Sequence, residues 1–175
     1  MSTDLASYSA TETLPGGQRL WLRAIRPDDR DRLREEFLKL SKDTVRERFF
    51  SIKLDLTPDE LTYLTEVDFR HHVALVAELE SGPYRIPVAV GRLVRRNDDP
   101  DHSEIAITVT DEMQARGIGR VLFRHLLDCA RRLGIHHVDA SVLAENTSML
   151  KLIRRSGYPY VSTLEDGVRN ITVTI

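Results

Sequence analysis

Gln114-Ala-Arg-Gly-Ile-Gly119 lies between a strand-like run, Glu104-Ile-Ala-Ile-Thr-Val-Thr110, and an apolar-striped run from Arg120 to Leu133. A strand, a glycine loop and a helix start together make an anion cradle. The first turn of a helix has backbone N–H groups without intrahelical partners, and the helix dipole adds partial positive charge at that end. A phosphate fits there. Gly117 and Gly119 can adopt positive φ and carry no Cβ, so a pyrophosphate can come close to the backbone. Glycines at strand-to-helix turns also serve tight packing, and the loop by itself leaves both roles open.

Two nucleotide-binding alternatives fail on spacing. A P-loop requires G-x-x-x-x-G-K-[S/T], and the chain contains no Gly-Lys pair. A dinucleotide fingerprint requires a third glycine three residues beyond Gly119, where Leu122 stands, and no parallel βαβ series follows.

Working outward, residues 1–13 are polar and unpatterned and read as a flexible tail. Arg19 to Arg23 reads as a first strand. A helix opens at Pro27-Asp-Asp29 and runs to about Leu40, and a short helical segment covers Thr44 to Phe50. Another helix begins at Thr57-Pro-Asp-Glu60, which has a cap, Pro at the first helical position and Glu at the third. The β-rich runs Val73 to Leu79, Val88 to Val94 and Ser103 to Thr110 form an antiparallel meander. After the glycine-loop helix come a strand over His137 to Leu143 and a helix over Thr147 to Ser156. A hairpin, Tyr160 to Glu165 and Asn170 to Ile175, turns at Asp166-Gly167.

The chain has 175 residues and a formal charge of −2, with acidic and basic residues interleaved. That length suits one domain with its own core, and the charge pattern offers no basic stripe to nucleic acid or an anionic membrane. No apolar run reaches the roughly 20 residues of a membrane span, and the N-terminus lacks signal-peptide character, so a cytoplasmic protein is expected. Cys129 shares the helical stripe of Leu122, Leu126, Ala130 and Leu133 and is expected in the core. His71-His72 and His136-His137 are adjacent pairs whose side chains point to opposite strand faces, and no metal is implied.

Gln114-x-x-Gly-x-Gly119 after a strand resembles the acetyl-CoA pyrophosphate motif, [Q/R]-x-x-G-x-[G/A], of the GCN5-related N-acetyltransferases, the GNAT superfamily. Asn146-Thr-Ser-Met-Leu-Lys-Leu-Ile-Arg-Arg-Ser-Gly-Tyr158 resembles that family's fourth helix and its exit. Upstream, Arg46-Glu-Arg-Phe-Phe-Ser51, Leu56-Thr-Pro-Asp-Glu-Leu61 and the run Val67 to Ala77 resemble the acetyltransferase domain of bacterial protein-lysine acetyltransferases; the resemblance covers nearly all of 19–165. It implies an α+β fold, with one acetyltransferase domain over 14–175. The sheet would be mixed and mostly antiparallel, with about six to seven strands flanked by helices, and splayed between the fourth and fifth strands, 103–110 and 137–143.

The resemblance also implies acetyl-CoA as cosubstrate and a primary amine as acceptor, either a protein lysine or a small molecule. A non-catalytic acyl-CoA sensor is the alternative from another class, and a homodimer is compatible with the superfamily. Pantetheine would bond to backbone near Ile107, Thr108 and Val109; the other reading of this strand is that Ile105, Ile107 and Val109 alternate into the core. The pyrophosphate would meet the amides of Gly117, Ile118 and Gly119 beside Gln114. Arg116 and Arg120 would reach phosphate or remain solvated, and Asn146 would meet the pantetheine arm or cap its own helix.

A free lysine of pKa about 10.4 is only about 0.04% neutral at pH 7, a deficit of about 4.6 kcal/mol, so a general base is useful. Glu104 matches the base of the lysine-acetylating branch in location; the alternative is a solvated strand-end carboxylate paired with an arginine such as Arg92. Where many family members carry a Tyr that protonates the thiolate, this chain has Ile153, and Tyr158 corresponds to a closing aromatic that commonly packs. Arg46, Arg48, Phe49 and Phe50 either shape the acceptor side or pack on one another.

Overall fold

The computed structural model describes residues 4–175. One eight-stranded sheet runs in the order β1-β2-β3-β4-β5-β6-β8-β7. Its strands are β1 (Ser9–Thr13), β2 (Arg19–Ala24), β3 (His72–Ser81), β4 (Tyr84–Arg95), β5 (His102–Val109), β6 (His137–Leu143), β7 (Tyr160–Glu165) and β8 (Val168–Thr174). Every pairing is antiparallel except β5 with β6. Helices α1 (Arg30–Lys39), α2 (Lys42–Phe49) and α3 (Pro58–Thr65) lie between β2 and β3, α4 (Ile118–Arg132) between β5 and β6, and α5 (Thr147–Arg155) between β6 and β7.

Local chemistry explains several boundaries. Thr57 Oγ accepts from the Glu60 N–H while Glu60 accepts from the Thr57 N–H, so the expected capping box opens α3. Asp166 (φ 49°) and Gly167 (φ 77°) both take the left-handed conformation that a two-residue type I′ hairpin needs between β7 and β8.

β3 is buried on both faces over its first eight residues. Val73, Leu75, Ala77 and Leu79 join the large core that includes the buried side of α4, whereas Ala74 and Val76 pack with Ile25 on the opposite face. A continuous apolar run is what such a two-sided position requires. Gly91 on β4 lets α4 settle against the sheet: a Cβ there would lie 2.7 Å from Leu126 Cδ1 and 3.0 Å from Leu122.

The expected flexible tail is corrected for the part that is described. Residues 5–7 form a 3₁₀ turn with Leu5 fully buried, and β1 pairs with β2 from Ser9↔Arg23 to Thr13↔Arg19. This strand is the eighth, beyond the seven read from sequence. It is held from a distance: the Tyr8 hydroxyl bonds to His125 Nδ1, and His125 Nε2 lies 2.8 Å from Glu12 Oε1. Met1, Ser2 and Thr3 fall outside the described residues.

Candidate acetyl-CoA and acceptor site

β5 and β6 are registered at three positions only, His102↔His137, Ser103↔Val138 and Glu104↔Asp139. Beyond Glu104, β5 continues to Val109 along β4, and β6 continues to Leu143 along β8, so the two strands part. From Ile105 to Val109 the β6-facing edge of β5 has no strand partner. Unpaired backbone N–H and C=O groups at such an edge call for another partner. Ile107 and Val109 turn their side chains to the α4 core, and Thr108 turns to the opposite face, so backbone and side chains here have separate duties.

The glycine loop follows directly. Gly117 sits at φ 88° as the cap residue of α4, and no side chain caps the helix. The N–H groups of Ile118, Gly119 and Arg120 thus face outward from the first turn without an acceptor among the described residues. The Ile118 side chain is fully buried, which leaves its amide as its contribution to the cradle. The expectation that both glycines use positive φ is corrected: Gly119 is helical, while Ala115 (φ 60°) takes the second left-handed position of the loop. Arg116 and Arg120 are exposed and make no ion pair among the described residues, so both remain available to phosphate.

Gln114 has a role that spacing alone did not reveal. Its Nε2 donates to Val109 O at 3.2 Å and to Thr44 Oγ1 at 3.3 Å. Asp111 joins the same link, accepting from Ser41 N–H and hydroxyl at 2.9 and 2.7 Å and from the Thr44 hydroxyl at 2.7 Å. Burial pushes the Asp111 carboxyl up, but the Ser41 and Thr44 donors outweigh it and hold it below the usual range. The loop is therefore fastened to the start of α2, some 70 residues earlier, by groups that no local pattern exposes.

Asn146 Oδ1 accepts from the Met149 N–H at 3.1 Å, so this side chain caps α5, the second of its two expected roles. Ile153 is buried core. The Tyr158 hydroxyl accepts from Arg131 Nη2 at 2.5 Å, in the last turn of α4. Cys129 is fully buried, and burial pushes its thiol up to about 12, which is the opposite of nucleophile activation.

Glu104 is exposed, and neither a hydrogen bond nor an ion pair engages its carboxylate among the described residues. The alternative pairing with Arg92 does not form. Arg92 is 4% exposed and donates from Nη1 to Leu64 O at 3.2 Å and to His72 Nε2 at 2.9 Å. Across from Glu104, Asp139 is occupied: it accepts from His102 Nδ1 at 2.9 Å, Thr172 Oγ1 at 2.6 Å and Arg96 Nη1 at 3.4 Å. Among the described residues, no group of three or more His, Cys, Asp or Glu side chains is arranged to hold a metal, and no helix is long and apolar enough to cross a membrane.

A mixed sheet parted beside an amide cradle is the architecture of an acyl-CoA-dependent N-acetyltransferase. The chain belongs to the acetyltransferase (GNAT) domain family, whose model matches residues 19–159. It is 34% identical over 146 residues, 83% of its length, to acetyltransferase Pat of Mycolicibacterium smegmatis, of which the match spans 43%. It is 32% identical to an acetyltransferase of Pseudomonas aeruginosa, covering 84% of this chain and 78% of that protein. The structure superposes on the crystal structure of the GNAT domain of S. lividans PAT with a TM-score of 0.85 at 29% identity, covering 95% of this chain and 97% of that one.

Proposed function

We propose that this protein moves an acetyl group from acetyl-CoA to a primary amine, a protein lysine, by direct attack within a ternary complex. The observation that carries this reading is the position of Glu104 at the point where β5 and β6 part. The cradle amides of Ile118, Gly119 and Arg120, with Arg116 and Arg120 beside them, suit a pyrophosphate; the free β5 edge from Ile105 to Val109 suits a pantetheine amide chain leading back to Glu104. That run is about 13 Å of strand.

Acetyl-CoA supplies the activated thioester. Glu104 then takes the ammonium proton, directly or through water, and the amine nitrogen bonds the acyl carbon as the C–S bond breaks. The second proton on nitrogen passes to the departing thiolate, directly or through water, so no protein acid is needed where Ile153 offers none and the Tyr158 hydroxyl is engaged by Arg131. The buried thiol of Cys129 argues against a covalent acetyl-enzyme. A protein lysine as acceptor is supported by the likeness of residues 46–77 to protein-lysine acetyltransferases. Incubating the protein with isotopically labelled acetyl-CoA and a cell lysate, followed by mass spectrometry, tests this: label on protein lysines is expected, whereas label confined to metabolites would replace the acceptor.

A further inference from the structure

A cavity of about 80 Å³ lies between α1, α2 and the sheet, on the face that carries Glu104. Its walls are largely apolar, with Phe37, Phe49 and Val90 among them, yet Arg48 and Arg92 also line it. Buried guanidinium groups are ordinarily paired with acids. These two are not. Arg92 spends Nη1 on Leu64 and His72, while its Nε and Nη2 have no partner among the described residues. Arg48 makes no hydrogen bond or ion pair among them and only lies over the Phe49 ring at 4.9 Å. Burial and mutual repulsion push Arg92 below its ordinary value, and burial does the same to Arg48.

The acids that line the cavity are already committed elsewhere. Asp29 takes a two-point grip from Arg23 at 2.7 and 2.8 Å, and Glu36 pairs with Lys39 at 2.7 Å. Arg32, the third arginine of the lining, leans towards Glu78 at 3.8 Å. The cavity thus holds an excess of positive charge without a counter-ion. The volume holds several waters or the end of a short acid chain, since one water needs about 10–15 Å³. Arg92 registers opposite Ala106, two residues along β5 from Glu104 on the same face, which sets the two Cα atoms roughly 7–8 Å apart.

We propose that this cavity receives a carboxylate belonging to one of the two substrates, gripped by Arg48 and Arg92, while the reacting end lies at Glu104. The carboxylate belongs either to a dicarboxylic acyl group on CoA or to the amine acceptor, which in that case is a free carboxylated amine in place of a protein lysine. Guanidinium forks match a carboxylate in two-point geometry, and an apolar wall strengthens that contact. The inference rests on the acyl-transfer reading above and specifies a substrate class for the same site. Where the acyl group carries the acid, the bond changes are unaltered: nitrogen to acyl carbon forms, carbon to sulfur breaks, and the remote carboxylate is a spectator.

Three titrations, each with the parent and Arg48→Met, test it. Arg48 makes no hydrogen bond among the described residues, so this substitution removes an unpaired charge without breaking the Leu64 anchor. Succinyl-CoA is compared with acetyl-CoA, Nα-acetyl-lysine with its methylamide in the presence of CoA, and free glutarate is followed by thermal shift. In the parent, the carboxylated member of one pair is expected to bind at least tenfold more tightly than the neutral one, and glutarate to raise Tm; Arg48→Met should abolish both effects, and Arg48→Lys should retain part. Whichever pair discriminates identifies the source of the carboxylate. Equal affinities within both pairs together with no glutarate shift overturn the proposal, as does an undiminished preference in Arg48→Met. Failure of the parent to bind acetyl-CoA would instead strike the cradle reading, while glutarate still decides the cavity.

Discussion

Glu104 and Asp139 face each other at the last registered pair before β5 and β6 separate, and the two carboxylates have opposite circumstances. Asp139 is held by His102, Thr172 and Arg96. Glu104 is exposed and uncommitted. One fastens the closed end of the split; the other is left free at its mouth, where a base can serve an incoming amine.

Glu104→Gln is therefore expected to lower kcat at neutral pH by roughly 10²- to 10⁴-fold, with little change in acetyl-CoA affinity. The defect should shrink as pH rises and the acceptor amine loses its proton unaided. Steady-state kinetics across the pH range with an identified acceptor check this; a near-parental kcat throughout would remove Glu104 from the mechanism.

Gly117→Val should weaken acetyl-CoA binding at least tenfold. The surrounding protein leaves room, with Pro15 Cδ the nearest atom at 3.9 Å, so the loss comes from the φ of 88° and from blocking the ligand's approach. Gly134→Val is the control: φ is 70° there, nothing lies within 4 Å, and the site is at the far end of α4. It should cost about 1–2 kcal/mol of stability and leave calorimetric affinity intact.

Gly91→Ala is expected to destabilise the fold by about 1–3 kcal/mol, because the added Cβ meets Leu126 and Leu122, both fully buried and unable to yield freely. Urea unfolding measures it. The double variant with Leu126→Ala should lose less than the sum of the two single changes, since the deleted leucine opens the space that the new methyl needs.

Burial, reinforced by neighbouring Arg92, depresses His72 from 6.5 to about 4. A histidine kept neutral in the folded state contributes its full stability above the unfolded pKa and loses it as pH falls from about 6.5 towards 4. The unfolded chain binds the extra proton in that window, so stability rises with pH there. The linkage amounts to about 3 kcal/mol. Urea melts at pH 4.5, 5.5 and 7 should display this slope in the parent and a flatter one in His72→Gln.

Cys129→Ala should retain most of the turnover, and the native thiol should resist alkylation, given its full burial and raised pKa. A +42 Da adduct on Cys129 that chases into product would establish a covalent route in place of direct attack.

Local signals were legible because their physics is local. The glycine loop between a strand and a striped helix, the Thr57–Glu60 capping box, the turn at Asp166-Gly167 and the burial of Cys129 all depend on residues a few positions apart, and all stand in the structure. The open β5 edge was implied by the family resemblance. Its starting point at Glu104 came only from the register with β6, a pairing between segments 35 residues apart.

What the sequence by itself determined was the order of elements from residue 19 onward, the face of α4 that is buried and the place of the glycine loop at its start. These follow from periodicity, capping and glycine chemistry. Tertiary structure alone decided that the Ser- and Thr-rich start becomes an edge strand, because its anchors, Tyr8 and Glu12, meet His125 more than a hundred residues away. It likewise decided that Gln114 and Asp111 reach back to α2, and that Arg48 and Arg92 share one cavity whose acids, Asp29 and Glu36, are paired elsewhere. A side chain's partner is chosen by where the folded backbone delivers both groups, and spacing along the chain does not encode that meeting.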